Sequence, residues 1–194
     1  MNLLRSSHLV KVPWKNGGGT TREIAIGRIS DQAAWRISRA DVGQDSAFSD
    51  FAGLTRILTV VSGHGMVLKY DGGALDANLW EPVVFDGGLK IASQLKDGPL
   101  TDLNLMFDPS HCAGEVVTQC GPCALDIALT DAGITAFHVL AGTPDIRGTK
   151  LDIADTAFLD ASARLNLSEG DAVLEIRLSY LPQSSDIKLC IATR

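Results

Sequence analysis

The twelve residues that decide the fold read Pro13-Trp14-Lys15-Asn16-Gly17-Gly18-Gly19-Thr20-Thr21-Arg22-Glu23-Ile24. A glycine run of this kind lets the backbone take positive φ angles and approach a neighbouring group closely. From Thr20 to Ile26 the side chains alternate between two faces, which is typical of a β-strand. The stretch therefore predicts a glycine-rich turn that opens a strand and gathers polar groups around it. A plain hairpin with solvated polar side chains is the simpler alternative.

Short runs with β-strand character recur along the rest of the chain, separated by turn residues. Examples are Trp35–Ala40, Arg56–Val61, Met66–Tyr70 and Leu103–Phe107. Strands of this length, with turn signals about every 8–12 residues, predict an all-β sandwich or barrel. Helical periodicity is weak throughout, and we expect a helical turn only within residues 154–163.

Two parts of the chain resemble each other. Residues 57–63 and 136–142 are β-rich runs that each end on a small residue and a glycine, and each is followed later by a turn that opens a buried strand. This repeat predicts two similar β-halves joined between residues 109 and 121. We assign residues 1–110 to an N-terminal half that carries the pocket. Residues 111–194 form a C-terminal half that packs against it.

The composition is that of an ordinary globular protein, with 45% hydrophobic and 21% charged residues and a net charge of −6. A nucleic-acid-binding surface needs an excess of basic residues, so we expect no nucleic-acid partner. No apolar run is long enough to span a membrane, and the first residues lack the apolar core of a secretory signal. We therefore expect a cytoplasmic protein with no membrane contact.

The sequence gives little support for a metal site or for a reactive cysteine. No two histidines lie two to four residues apart, so we expect no metal and no other cofactor. Cys120-Gly121-Pro122-Cys123 matches the thioredoxin active-site tetrapeptide, but the residues after it alternate as a strand instead of forming the helix that activates the thiol. A zinc site that adds His111 and Cys112 lacks two close ligand pairs. We interpret the tetrapeptide as a turn between strands.

Taken together, these patterns resemble the HutD/Ves family, cupin-related bacterial proteins that are linked to histidine utilisation. The matching segments are residues 13–24, 35–40, 48–56, 62–65, 85–88 and 102–106. The resemblance implies an all-β, cupin-like (RmlC-type) β-barrel or sandwich, with two cupin-like halves in one chain (a bicupin). It also implies a role in controlling histidine catabolism rather than a defined catalytic step.

A polar pocket without a metal is the candidate site. Arg22, Arg36 and Arg56 lie in three separate strand candidates, and the arginine fork binds a carboxylate through two parallel hydrogen bonds. Each arginine could instead point outward and pair with an acid, because a buried arginine without a partner is unfavourable. Lys15 and Asn16 supply hydrogen-bond donors beside a flexible backbone.

Further residues complete the predicted site. Glu23 could orient one of the cations, and Trp14, Trp35 and Phe48 could form the apolar walls that a small planar ligand needs, or they could simply pack in the core. Asn104 lies where a cupin motif often points a polar residue inward. The predicted ligand-binding residues are Lys15, Asn16, Thr20, Arg22, Glu23, Trp35, Arg36, Phe48, Arg56 and Asn104.

Two functions follow from such a pocket. In the first, the protein is a non-catalytic cupin that binds a small carboxylate and regulates histidine utilisation, as a sensor of an intermediate such as urocanate or N-formylglutamate. In the alternative, it is a metal-independent enzyme, an isomerase or hydrolase on a histidine-degradation intermediate, with Glu23 or His64 as the base. No nucleophile elbow or catalytic triad is present, which favours the first function. A homodimer that covers strand edges and a protein partner in the histidine-utilisation system are further expectations.

Overall fold

The computed structural model of the chain describes residues 1–15 and 17–192. Within these ranges the chain forms twenty β-strands, two short 3-10 helices (Ser6–His8 and Pro182–Ser184) and no α-helix, so the predicted all-β class is confirmed. No helix in the described part of the chain has the length and apolar character needed to cross a membrane. The strands are β1 (Asn2–Leu4), β2 (Val12–Pro13), β3 (Gly19–Ile29), β4 (Gln32–Val42), β5 (Ser46–Ala47), β6 (Thr55–Ser62), β7 (Met66–Tyr70), β8 (Gly73–Ala77), β9 (Val83–Asp86), β10 (Ala92–Leu95), β11 (Leu100–Phe107), β12 (Cys112–Cys120), β13 (Cys123–Ile127), β14 (Gly133–Ala141), β15 (Asp145–Ile146), β16 (Thr149–Lys150), β17 (Thr156–Phe158), β18 (Ala163–Leu167), β19 (Ala172–Tyr180) and β20 (Lys188–Ile191).

These strands form four sheets. Sheet I contains seven strands in the order β2-β3-β4-β11-β6-β9, with β20 also paired to β3. Sheet II has the order β5-β10-β7-β8, sheet III the order β1-β17-β14-β19-β12, and sheet IV the order β13-β18-β15-β16. The five strand candidates named from the sequence lie within β3, β4, β6, β7 and β11.

The first and last strands each join a sheet that is built mainly from the other part of the chain. Between β2 and β11 every strand belongs to sheet I or II, and from β12 to β19 every strand belongs to sheet III or IV. The first strand crosses to sheet III, where Asn2 lies opposite Phe158 of β17. The last strand crosses to sheet I, where Lys188 lies opposite Arg28 of β3. Each terminal strand therefore ties one part of the molecule to the other.

Sheet I is buried on both faces. One face packs against sheet III in the largest apolar core, which includes Trp35 and Ile176. The other face contributes Leu58 to a second core with Leu68 of sheet II. A third core, around Phe137, lies between sheets III and IV. Because successive side chains of a strand point to opposite faces, each long strand of sheet I contributes side chains to two different environments.

A β-bulge interrupts the alternation of β3. The register with β4 shifts between Glu23 and Ala25, and Ile24 and Ala25 are both fully buried in the same core. Strict alternation from Thr20 to Ile26 is therefore wrong at this point, because the bulge inserts an extra residue and changes the direction of the side chains that follow.

The helical turn expected within residues 154–163 is also wrong. Thr156–Phe158 forms β17, which lies between β1 and β14. Ala154, just before it, has a φ of 70°, which is outside the helical region. Pairing with two strands from distant parts of the sequence outweighs the weak local preference.

Gly27 of β3 provides a test of this packing, because a Cβ atom at this position would lie 2.0 Å from Nε1 of the buried Trp35 ring. We predict that Gly27→Ala lowers the free energy of unfolding by about 1–3 kcal/mol, the usual effect of overpacking a filled core. Gly43→Ala is the matched control, since its Cβ would meet nothing closer than 3.6 Å. Urea unfolding measures both, and equal stabilities of the two variants would contradict the packing.

Candidate functional site

A cavity of about 470 Å³ lies on the face of sheet I opposite sheet III. Its floor comes from β4, β6 and β11, and its walls come from the β2–β3 hairpin and the segment after β5. We call it the Arg56 cavity. The residues that line it are Pro13, Trp14, Lys15, Thr21, Arg36, Ser38, Ala40, Ala47, Phe48, Ser49, Phe51, Arg56, Asp102, Asn104 and Met106.

Arg56 is one of these lining residues and is only 6% exposed. Its Cζ atom lies 4.8 Å from the ring centre of Phe48, 5.1 Å from that of Phe85 and 5.5 Å from that of Phe51. Such cation–π contacts stabilise a cation that has lost its water. Nη2 donates a hydrogen bond to Oδ1 of Asn104 at 2.6 Å. The buried Nε atom has no hydrogen-bond partner among the described residues.

A buried carboxyl group extends the series of hydrogen bonds that begins at Arg56. The side-chain amide of Asn104 accepts from Arg56 and donates to Oδ1 of Asp102. Burial raises the pKa of Asp102 to about 7, against the opposing effect of the Arg56 charge. Burial also lowers the pKa of Arg56, to about 10, so Arg56 stays charged at neutral pH. With Asp102 half protonated near pH 7, the floor of the cavity carries a net positive charge.

The glycine-rich stretch forms a hairpin that brings two residues to the cavity. The Gly17 amide donates to the Trp14 carbonyl at 3.0 Å, and Gly17 has a φ of 71°. The Trp14 indole donates to Thr21 Oγ1 at 2.7 Å, which holds the ring against β3. Trp14 and Lys15 thus line the Arg56 cavity. The predicted ligand residue Asn16 lies outside the described residues.

Two of the predicted site residues lie on the opposite face of sheet I. Arg22 donates from Nη1 and Nη2 to the two carboxylate oxygens of Asp41 at 2.8 and 2.7 Å. The Thr20 hydroxyl donates to the same carboxylate at 3.2 Å. Partial burial acts to raise the pKa of Asp41, but its bonds to Arg22 hold that pKa below the usual range. Here the arginine has the acidic partner that the sequence left as an alternative.

Two further predicted residues also lie away from the cavity lining. Trp35 packs in the core between sheets I and III, and its indole donates to the Tyr180 hydroxyl at 3.2 Å. Glu23 accepts a hydrogen bond from Arg36 Nε at 3.1 Å and so orients a lining residue from outside. His64, the other candidate base, is exposed on a turn and contacts the Asp97 carbonyl at 3.1 Å.

Five of the predicted residues do come together in the Arg56 cavity. They are Lys15, Arg36, Phe48, Arg56 and Asn104. Asp102 is not among the predicted residues, although it stands two residues before Asn104 on the same strand. Residues two apart share one face of a strand, so this signal was present in the sequence. Phe51 and Ser38 were missed as well.

The cysteines lie apart from this cavity. Cys120 ends β12 and Cys123 begins β13, so the tetrapeptide forms a turn between two strands. Cys112 stands at the far end of the nine-residue β12, roughly 26 Å from Cys120 at about 3.3 Å per residue. One ion cannot bind both. Among the described residues, no three His, Cys, Asp or Glu side chains cluster in a way that could hold a metal ion.

Comparison with known proteins identifies the family. The family model described as HutD matches residues 6–174. The chain belongs to the HutD family. This confirms the resemblance drawn from the residues around the glycine run. One relative is an uncharacterised 21.2 kDa protein of the hutC 3′ region in Pseudomonas putida, 39% identical over 114 residues, which are 57% of this chain and 60% of that protein.

Other HutD-family relatives and solved structures agree. Protein Ves of Escherichia fergusonii is 28% identical over 132 residues, 66% of this chain and 63% of that protein. The matches thus span about three-fifths of the length of these curated relatives. The structure of HutD from Pseudomonas fluorescens SBW25 in a formate condition is 30% identical, covers 93% of this chain and 98% of its own, and superposes with a TM-score of 0.81. A bacterial pirin from Escherichia coli, 10% identical over 93% of this chain and 99% of its own, has a TM-score of 0.69 and shows that the fold is cupin-like.

The raised pKa of Asp102 predicts a dependence of stability on pH. Between pH 3.8 and about 7 the native HutD-family chain keeps a proton on Asp102 that the unfolded chain has lost. The stabilisation that this proton gives the native state is therefore complete below pH 3.8 and is lost as the pH rises through 7. We predict that Asp102→Asn removes this pH dependence, so the variant gains stability relative to the wild type by at most about 1.4 kcal/mol per pH unit across this range.

Urea unfolding from pH 4 to pH 8 measures the difference between wild type and variant. Asp126→Asn, at an exposed carboxylate paired with Arg164, is the control and should show a much smaller change. A difference between wild type and Asp102→Asn that does not vary with pH would contradict the assignment.

Proposed function

We propose that this protein binds a small carboxylate in the Arg56 cavity without converting it, and that it regulates histidine utilisation by sensing a pathway intermediate. The observation that carries the proposal is the Arg56 guanidinium, which is buried, faces a cavity and keeps its Nε donor unpartnered among the described residues. A buried donor without an acceptor is unfavourable by about 1–3 kcal/mol or more for a charged group. A bound carboxylate would supply that acceptor.

The charges around the cavity support an anionic ligand. Lys15 and Arg36 line the cavity with Arg56, and Asp102 is the carboxyl group in the same lining. Glu23 offsets Arg36 through their ion pair. Lys15 and Arg56 then remain against one carboxyl group that is half protonated near pH 7, so the cavity favours a ligand with one negative charge.

The apolar part of the lining supports a small planar ligand. Trp14, Phe48, Phe51 and Met106 line the same cavity. Aromatic walls around a few fixed polar groups are the usual composition of a small-molecule site. Urocanate combines a carboxylate with a flat conjugated ring, and N-formylglutamate and formate are smaller or more flexible alternatives. A solved relative in a formate condition makes formate a suitable minimal probe.

The link to histidine utilisation comes from the names of relatives. The family name is HutD, and the Pseudomonas putida relative is named for its place beside hutC. A metal-free carboxylate site in such a chain fits a sensor of that pathway.

An enzymatic function remains as the second candidate because of Asp102. A buried carboxyl group with a pKa near 7 beside a cavity is suited to proton transfer. In this form of the proposal Asp102, rather than Glu23 or His64, is the acid or base. Proton NMR of urocanate, histidine or N-formylglutamate with the pure protein distinguishes the two functions, because any catalytic consumption supports the enzyme and none supports the sensor.

We also propose that the fold contains two cupin-like halves, one built on sheets I and II and the other on sheets III and IV. Equivalent strands support this. β6 ends before Gly63 and β14 ends before Gly142, and both glycines have positive φ, 96° and 73°. The pairing of each strand with its neighbour is irregular near that end. The Arg56 cavity lies in the first half.

Arg56 is the first residue to test for ligand binding. We predict that Arg56→Gln weakens the binding of formate and urocanate by about tenfold or more, the effect of removing one or more charged hydrogen bonds worth about 1.5–3 kcal/mol each. Arg22→Gln is the matched control, because Arg22 binds Asp41 on the other face of sheet I. Isothermal titration calorimetry on variants with native circular dichroism measures this. Equal losses of affinity in both variants, or no loss in either, would contradict the proposed site.

The site should also respond to pH. Since protonation of Asp102 removes a negative charge from the cavity, we predict that formate binds more weakly as the pH rises above 7, by up to about tenfold per pH unit. Formate keeps its own charge across this range, and Arg56 keeps its charge up to about pH 10. Asp102→Asn should bind formate with an affinity that stays flat from pH 6 to 8.5. A wild-type affinity that is equally flat would contradict the coupling.

A further inference from the structure

A second hollow, of about 390 Å³, lies on the opposite side of sheet I from the Arg56 cavity. Its described lining consists of Ser6, Ser7, Leu9, Lys11, Arg22 and Arg39. We call it the Arg39 hollow. The first four of these residues come from the N-terminal segment that follows β1, and the two arginines come from β3 and β4. The hollow therefore lies where the segment from sheet III crosses sheet I.

The two arginines of the hollow oppose each other directly. Arg22 of β3 is the register partner of Arg39 of β4. Like charges directly opposite in a sheet are unfavourable. Burial lowers the pKa of Arg39, and the charge of Arg22 lowers it further. A sheet holds such a pair in place only where something else offsets the repulsion.

The protein itself offsets only part of this charge. Asp41 binds Arg22 through both oxygens and lies 3.8 Å from Lys11 Nζ. Asp155, the other buried carboxylate near the segment, is already paired with Arg5 at 2.6 Å. Among the described residues no carboxylate lies within ion-pair distance of Arg39. Three cations face the carboxylate of Asp41, and the buried Asp102 also acts on the charge of Arg39, so the hollow keeps an excess of positive charge.

Buried polar atoms without a partner strengthen this inference. Arg39 Nε is buried and has no partner in the described part of the chain. His138 on β14 of sheet III is fully buried, and its Nδ1 pairs with the Thr156 hydroxyl at 2.8 Å, but its Nε2 has no partner there either. Burial, aided by the charge of Arg39, lowers the pKa of His138 to about 3, so this histidine is neutral. It therefore adds no further positive charge beside Arg39.

We propose that the Arg39 hollow binds a phosphate group, either as inorganic phosphate or as a small phosphomonoester, and that this site is separate from the carboxylate site in the Arg56 cavity. A phosphate anion matches this excess of positive charge, and its oxygens accept from arginine forks, from a lysine and from serine hydroxyls. Because the lining comes from both the N-terminal segment and sheet I, the bound group fastens that segment to the sheet.

Calorimetric titration with inorganic phosphate, at constant ionic strength in a chloride buffer, tests this site. We expect saturable binding to the wild type and at least tenfold weaker binding to Arg39→Gln. Arg28→Gln is the matched control, since Arg28 lies on β3 outside the described lining of the hollow and its side chain donates to the Asp31 carbonyl at 3.5 Å. If Arg39→Gln fails to fold, Lys11→Ala replaces it, because Lys11 is exposed and its loss should still weaken phosphate binding severalfold.

The outcomes separate this site from the carboxylate site. Arg56→Gln should bind phosphate as the wild type does, and Arg39→Gln should bind formate as the wild type does. Tighter binding of phenyl phosphate than of inorganic phosphate would identify a phosphomonoester as the ligand, and the reverse would identify free phosphate. No saturable binding to the wild type at millimolar phosphate, equal binding by Arg39→Gln and Arg28→Gln, or tighter binding of succinate than of either phosphate would overturn the proposal.

Discussion

Sheet I is buried on both faces, and this constraint determines where each functional side chain points. Along β4, Trp35 and Ile37 enter the core with sheet III, while Arg36 and Ser38 face the Arg56 cavity. A slip of one residue would place an arginine in the apolar core and an indole in the cavity. The contact of Trp35 with Gly27 and its bond to Tyr180 hold the register.

The same constraint places charge in the interior. Arg56 stands on a central strand, so its guanidinium has to be accommodated by neighbours rather than by water. Three phenylalanine rings and one amide oxygen surround it. The nearby carboxyl group of Asp102 is so deeply buried that it holds its proton up to about pH 7. Neighbouring groups therefore balance the positive charge of Arg56 only in part, and a ligand in the adjacent cavity can balance the rest.

Much of this arrangement could be predicted from the sequence. Alternation located the long strands and put Arg22, Arg36 and Arg56 in three of them, but it left open whether each faces a pocket or pairs with an acid; Arg36 and Arg56 face the Arg56 cavity. Alternation alone does not say which face of a strand points to the core and which to the cavity. For this reason Trp35 was assigned to the pocket although it packs in the core. A bulge after Glu23 altered the alternation of β3, and no local pattern marks such a bulge in advance.

Other features depend on contacts between distant parts of the chain. The exchange of β1 and β20 between the sheets joins residues more than 150 positions apart, and short edge strands carry almost no local signal. The opposition of Arg22 and Arg39 follows from strand register and not from spacing. Asp102 is the exception, because its position two residues before Asn104 placed it on the cavity face from the beginning.

The most direct test of the central claim is a crystal structure of the protein grown with saturating urocanate. We predict a carboxylate within hydrogen-bond distance of the Arg56 guanidinium, with the flat part of the ligand against Phe48 or Trp14. An empty Arg56 cavity in such a crystal, or urocanate bound elsewhere with Arg56 unchanged, would contradict it.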